Sequence, residues 1–115
     1  MKNQTQKRLF DVLDSGRSIQ TWCAKRSFSD YEKDRQLRRA VEREFEIIGE
    51  ALNRLVQWDP ATAARISQIH RIIGFRNRII HGYDTVDDAT VWGVIERYLP
   101  PLLIELDDLL SEANQ

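Results

Sequence analysis

Between Leu37 and Leu55 an apolar residue recurs every three or four positions: Leu37, Val41, Phe45, Ile48, Leu52 and Leu55. That period belongs to an α-helix. The faces between these positions carry Arg38, Arg39, Glu42, Arg43, Glu46 and Glu50, so the segment reads as one long helix with a single apolar stripe. A stripe of that length must be covered by other elements, and the rest of the chain offers more helix.

From Leu9 the apolar positions Leu9, Val12, Leu13, Ile19 and Cys23 keep the helical spacing with a gap at Gly16, which predicts an amphipathic helix ending near Arg26. Ser29 followed three residues later by Glu32 has the form of a capping box and is expected to open the next helix. Asp59 can cap and Pro60 suits a first helical turn, where its missing amide costs nothing; a third helix is expected to run through Ile66, Ile69 and Ile73. Beyond Gly82, an Asp or Thr of DTVDDATVW restarts a helix striped by Val91, Ile95, Leu99, Leu102, Leu106 and Leu109. Pro100 and Pro101 should kink it between Glu96 and Pro101, because proline removes an amide donor and crowds the preceding turn. No strand alternation, repeat or low-complexity linker is legible. The expected fold is all-α, an antiparallel bundle of four to five helices with a kinked last helix, formed as one domain over residues 1–115.

Composition narrows the setting. At 115 residues and 42% hydrophobic the chain can bury a core without staples. Cys23, the single cysteine, cannot close an intramolecular disulfide, and the polar start after Met1 lacks a signal-peptide core. No apolar run approaches the roughly 18 residues of a membrane span, so a soluble cytoplasmic protein with no membrane contact is expected. The net charge of −1 excludes a global polycation, and any nucleic-acid contact must come from local clustering.

Such a cluster exists. Residues 60–83 hold Arg65, Arg71, Arg76, Arg78, His70 and His81 and no Asp or Glu, in a chain with 18 acidic residues. Guanidinium presents a rigid fork of donors suited to phosphate or carboxylate. Arg65 and Arg71 fit equally a solvated face or pairing with the acidic face of the long helix. Within RNRIIHGY, Arg76 to Tyr83, Asn77 and His81 share a face one turn apart, whereas Arg76 lies about 140° around the helix from His81. The two meet if the arginine stem wraps round or the helix ends near Gly82, which can adopt a left-handed terminal conformation. Spacing alone fits His81 to a structural or surface role as well as to catalysis. Glu50, at the edge of the long stripe, could reach Arg76 from the neighbouring helix. His70 and His81 lack metal-ligand spacing and Cys23 stands alone, so no metal and no cofactor are expected.

Read as Arg76, four residues, His81, one residue and Tyr83, the motif resembles the signature of HEPN-domain proteins, in particular the HepT-like toxins of HEPN/MNT (type VII) toxin–antitoxin pairs. The flanks AVEREFEIIGEALNRL, IIGFRNRIIHGYDTVD and VWGVIERYLPPLL extend the likeness along nearly the whole chain. The resemblance implies a helical bundle that forms a homodimer around the motif and a metal-independent ribonuclease that restrains growth. It also implies an antitoxin from the adjacent gene, a minimal nucleotidyltransferase that silences the toxin by transferring AMP to the motif tyrosine, here Tyr83.

Chemistry and resemblance meet on mechanism. RNA cleaves itself when its 2′-hydroxyl attacks the neighbouring phosphate, which needs a base, an acid and positive charge at phosphorus. Histidine is the motif's one residue type that ordinarily titrates near neutrality. The expected roles are proton transfer for His81, phosphate binding and transition-state stabilisation for Arg76, and orientation of the pair for Asn77. Arg71 and Arg78 are expected to contact RNA phosphates, of tRNA or mRNA, and a two-fold dimer would supply two copies of each group. A different class of function uses the same bundle: a non-catalytic HEPN module that binds nucleotide or scaffolds a nucleotidyltransferase, with Arg76 holding phosphate and no bond broken.

Overall fold

The computed structural model describes residues 1–82 and 86–114, and among these it contains seven helical segments and no strand. In chain order they are α1 (Asn3–Cys23), α2 (Phe28–Lys33), α3 (Arg35–Trp58), α4 (Pro60–Ala63), α5 (Ile69–His81), α6 (Asp88–Arg97) and α7 (Leu99–Ala113). Two of the seven, α2 and α4, are short connecting turns; the other five make the bundle.

α3 is its axis. Every residue of the predicted stripe, from Leu37 to Leu55, is buried, and α1 and α5 pack on either side of it while α7 covers α1. α1 runs antiparallel to α3: the start of α1 meets the end of α3, where the Thr5 hydroxyl donates to Asp59 at 2.8 Å and the Arg8 guanidinium lies over the Trp58 ring. α5 also runs antiparallel to α3, with Phe75 set edge-on against Phe45 at 5.0 Å between ring centres. Edge-to-face pairs of this kind add specificity to the area they bury. At Gly16, the gap in the α1 stripe, the Leu103 side chain of α7 comes down onto the bare backbone.

Local chemistry moved three expected boundaries. The capping box is Ser27 with Asp30, not Ser29 with Glu32: the Ser27 hydroxyl accepts from the Asp30 amide and the Asp30 carboxylate accepts from the Ser27 amide. Its helix is only α2, because Asp34 adopts an extended backbone and caps α3 afresh by accepting from the Leu37 amide at 3.0 Å. α1 stops at Cys23 rather than near Arg26, whose amide turns back to the Cys23 carbonyl. Asp59 and Pro60 do start a helix, but α4 ends at Ala63, so the third helix does not run through Ile66. There the Ser67 amide and hydroxyl both bind Glu105 of α7, diverting a backbone donor, and α5 begins at Ile69. The kink falls where proline placed it. α6 ends at Arg97, Tyr98 intervenes, and Pro100 and Pro101 lie in the first turn of α7.

The caps carry a pH dependence. Asp34 is held below the ordinary carboxylate range chiefly by the Leu37 amide, Asp59 by the Thr62 hydroxyl and Asp87 by the Thr90 side chain. Carboxylates with depressed folded values stabilise the fold above their unfolded range, about pH 4, and lose that contribution as the pH falls through the folded values. Urea midpoints should therefore hold from pH 7 down to about pH 5 and decline below about pH 4. In Asp34→Asn, Asp59→Asn and Asp87→Asn combined, the acid-side decline should become shallower.

Candidate functional site

The acid-free segment becomes α5, and its two sides do different things. Ile69, Ile72 and Phe75 are buried in the bundle. His70, Arg71, Gly74, Asn77, Arg78 and His81 are exposed, and at ~100° per residue they fall within an arc of about 120°. One helix thus presents a basic outer face to which its own residues contribute no carboxylate, on a firm apolar footing.

Arg76 belongs to neither side. Its stem crosses the backbone of α3 at Gly49, where an added Cβ would lie 2.2 Å from the Arg76 Cβ and 2.3 Å from its Cγ. Only a residue without a side chain leaves that passage open. The guanidinium then splits its donors: Nη2 donates to Glu50 Oε2 at 2.6 Å and Nη1 to Asn77 Oδ1 at 2.8 Å. Glu50 is itself held from behind, its Oε1 accepting from Arg54 Nε at 2.9 Å. The Glu50 carboxyl is kept below its ordinary range, first by the Arg54 hydrogen bond and then by the Arg76 charge, so it remains an anion at neutral pH. The result is a chain of contacts, Arg54 to Glu50 to Arg76 to Asn77, that begins on α3 and ends on the outer face of α5.

The structure therefore joins Arg76 to Asn77 directly and seats both. His81 stands one turn beyond Asn77 as the exposed last residue of α5. The helix ends at Gly82, as expected, but not through a left-handed conformation: the φ of Gly82 is −141°, and its amide closes the turn on the Arg78 carbonyl. Tyr83, the expected AMP acceptor, lies outside the described residues.

The flanking arginines divide. Arg65 leaves the cluster, since its Nη2 binds both oxygens of Glu112 on α7, at 2.9 and 2.7 Å. Arg71 donates to the Tyr98 hydroxyl at 2.8 Å and to Gln68, and its guanidinium lies over the Tyr98 ring. Neither pairs with the acidic face of the long helix. Arg71 and Arg78 lie two turns apart on the same side of α5, a spacing that suits successive contacts along a polyanion. Among the described residues no group of three or more His, Cys, Asp or Glu side chains is placed to hold a metal ion, and no helix is long and apolar enough to cross a membrane.

Sequence reasoning missed Gly49. Its signal was present: a glycine inside the strongest helix, where it costs about 1 kcal/mol against alanine, asks for a close approach.

Comparison with known proteins gives this geometry a context. The family model described as "Ribonuclease HepT-like" matches residues 12–109. A Caldanaerobacter subterraneus subsp. tengcongensis protein, whose name marks it as a candidate RNase, is 33% identical over 86 residues, covering 75% of this chain and 76% of that one. A Methanocaldococcus jannaschii protein, also named as a candidate RNase, is 26% identical over 99 residues, covering 86% of this chain and 90% of its own. No solved structure matches the chain significantly.

Proposed function

The chain belongs to the HepT-like ribonuclease family, and from that premise we propose that it is a metal-independent endoribonuclease toxin acting through Arg76, Asn77 and His81. The observation that carries the reading is the seated Arg76–Asn77 pair at 2.8 Å, one turn from an exposed histidine on a helix face without carboxylates.

In this mechanism RNA lies along the outer face of α5, with phosphates near Arg71 and Arg78 and the reacting phosphate at Arg76. The 2′-hydroxyl attacks the adjacent phosphorus and its proton passes to the imidazole of His81. Arg76 stabilises the charge that builds on the phosphorane oxygens. The 5′-oxygen departs with a proton from a second imidazole, supplied by His81 of a second copy in a two-fold dimer. The products are a 2′,3′-cyclic phosphate and a 5′-hydroxyl, with no water consumed and no metal required. The test is cleavage of total RNA and tRNA by the purified protein with a chelator present, followed by chemical analysis of the new ends. Ends bearing 3′-phosphate and 5′-hydroxyl without a cyclic intermediate, or cleavage that stops with the chelator, would contradict the mechanism.

Silencing follows from Tyr83. An AMP group on its phenol would add a bulky anion two residues along the chain from His81, blocking RNA by volume and by charge. Incubation with a minimal nucleotidyltransferase antitoxin and ATP is expected to add AMP to the peptide containing Tyr83, and Tyr83→Phe should remove that adduct from the mass spectrum. An adduct unchanged in Tyr83→Phe would place the acceptor elsewhere.

A further inference from the structure

We propose that Glu50 is a positioning residue for RNA cleavage: anchored by Arg54, it fixes the plane of the Arg76 guanidinium, whose stem the bare backbone at Gly49 admits. The inference rests on the ribonuclease reading of the site and adds to it a second helix, α3, as a working part.

The geometry assigns the role. A guanidinium on a free four-bond stem samples many orientations, and a phosphate that captures it must freeze them. Here the stem is pressed against the α3 backbone at Gly49 and the Arg76 side chain is only 18% exposed. Both terminal nitrogens are held, one by Glu50 and one by Asn77. Each terminal nitrogen carries two protons and uses one, so each keeps one donor, in the plane of the guanidinium, for the oxygens of a phosphate. That matches the two-point recognition for which arginine is suited. Glu50 is fixed too, because Arg54 occupies its second oxygen. A carboxylate beside a phosphate-binding group weakens attraction for a polyanion, so its presence costs affinity. Its gain lies in orientation, which acts on the rate of the bond-breaking step and not on binding.

These two effects have opposite signs in an experiment. In Glu50→Ala the single-turnover cleavage rate should fall by roughly tenfold to hundredfold, while KM for RNA stays level or decreases because a negative charge has left the site. Glu50→Gln keeps an acceptor for Arg76 and should recover the rate to within about threefold of the unaltered protein. Glu50 is partly exposed, so circular dichroism should show both variants folded at the assay temperature. Nitrogen-15 NMR of the arginine side chains gives a readout independent of activity. The terminal-nitrogen protons of Arg76 should be separately resolved, with hindered rotation, in the unaltered protein and averaged in Glu50→Ala. A cleavage rate in Glu50→Ala within threefold of the unaltered protein would overturn the proposal. So would a Glu50→Gln variant as slow as Glu50→Ala, or an Arg76 signal identical in all three proteins. Absence of cleavage by the unaltered protein would defeat the ribonuclease reading alone, with the Arg76 signals still deciding whether Glu50 restrains it.

Discussion

Replacing His81 by alanine is expected to lower RNA cleavage by about 10²- to 10⁴-fold, the usual range for removing a general acid or base. The fold should scarcely register the change. His81 is exposed at the end of α5 and contributes nothing to the buried core, so Tm should stay within about 4 °C. Affinity for an uncleavable RNA, with the attacking 2′-hydroxyl replaced by hydrogen, should hold because Arg71, Arg76 and Arg78 remain. Loss of rate with retained binding is the signature of a proton-transfer group. The binding-module alternative predicts otherwise: no cleavage by the unaltered protein, and nucleotide or RNA affinity little changed by His81→Ala. Cleavage that persists at full rate in His81→Ala would remove this residue from the mechanism and leave Arg76 to act with some other base.

The residues proposed to carry chemistry were more legible in the sequence than the contacts that seat them. Periodicity placed α3 and the α6–α7 stripe because both are buried on one side along their whole length, which forces an apolar residue into every turn. Pro100 and Pro101 placed the kink because proline acts through covalent geometry that no tertiary contact can override. Boundaries governed by competing side chains were less legible. Ser27 with Asp30 and Ser29 with Glu32 offer the same pattern two residues apart, and the choice depends on Asp34 capping α3 just downstream. The early end of α4 depends on Glu105, 38 positions away in sequence, taking the Ser67 amide. At the site, the Asn77 and His81 spacing was readable from helical geometry, and Glu50 was within conceivable reach of Arg76. What periodicity does not encode is distance between helices. The closeness of α3 and α5 at Gly49 decides whether Arg76 lies across α3 or swings into solvent, and a single glycine letter holds that information.

Gly49→Ala tests that closeness most severely. On propensity alone the substitution should stabilise α3 by about 1 kcal/mol. Against this, the new methyl would sit 2.2 Å from the Arg76 Cβ and 2.3 Å from its Cγ. The Cβ cannot rotate away, since it is fixed to the α5 backbone, so one helix must shift. Overpacking of this kind costs about 1–3 kcal/mol and is offset by the propensity gain of about 1 kcal/mol, leaving a net loss of up to about 2 kcal/mol. For a domain of this size that is a fall in Tm of up to roughly 15 °C. Cleavage should fall further than stability implies, because the displaced atoms are the root of the arginine: a shift of about 1 Å in a group that meets the reacting phosphate can cost about 10²-fold in rate. Gly74 provides the control within the same bundle. Nothing lies within 4 Å of a Cβ built there, so Gly74→Ala should deliver the propensity gain unopposed and raise Tm. Gly16 falls between the two, since its obstructing atoms are the terminal methyls of Leu103, which can turn aside. The informative comparison is therefore the ranking by thermal unfolding, with Gly74→Ala most stable, Gly16→Ala next and Gly49→Ala least, set beside cleavage rates measured at a temperature where all three are folded. If Gly49→Ala proves as stable as Gly74→Ala and cleaves as fast as the unaltered protein, α3 and α5 do not meet at this distance, and the seat that orients Arg76 does not exist.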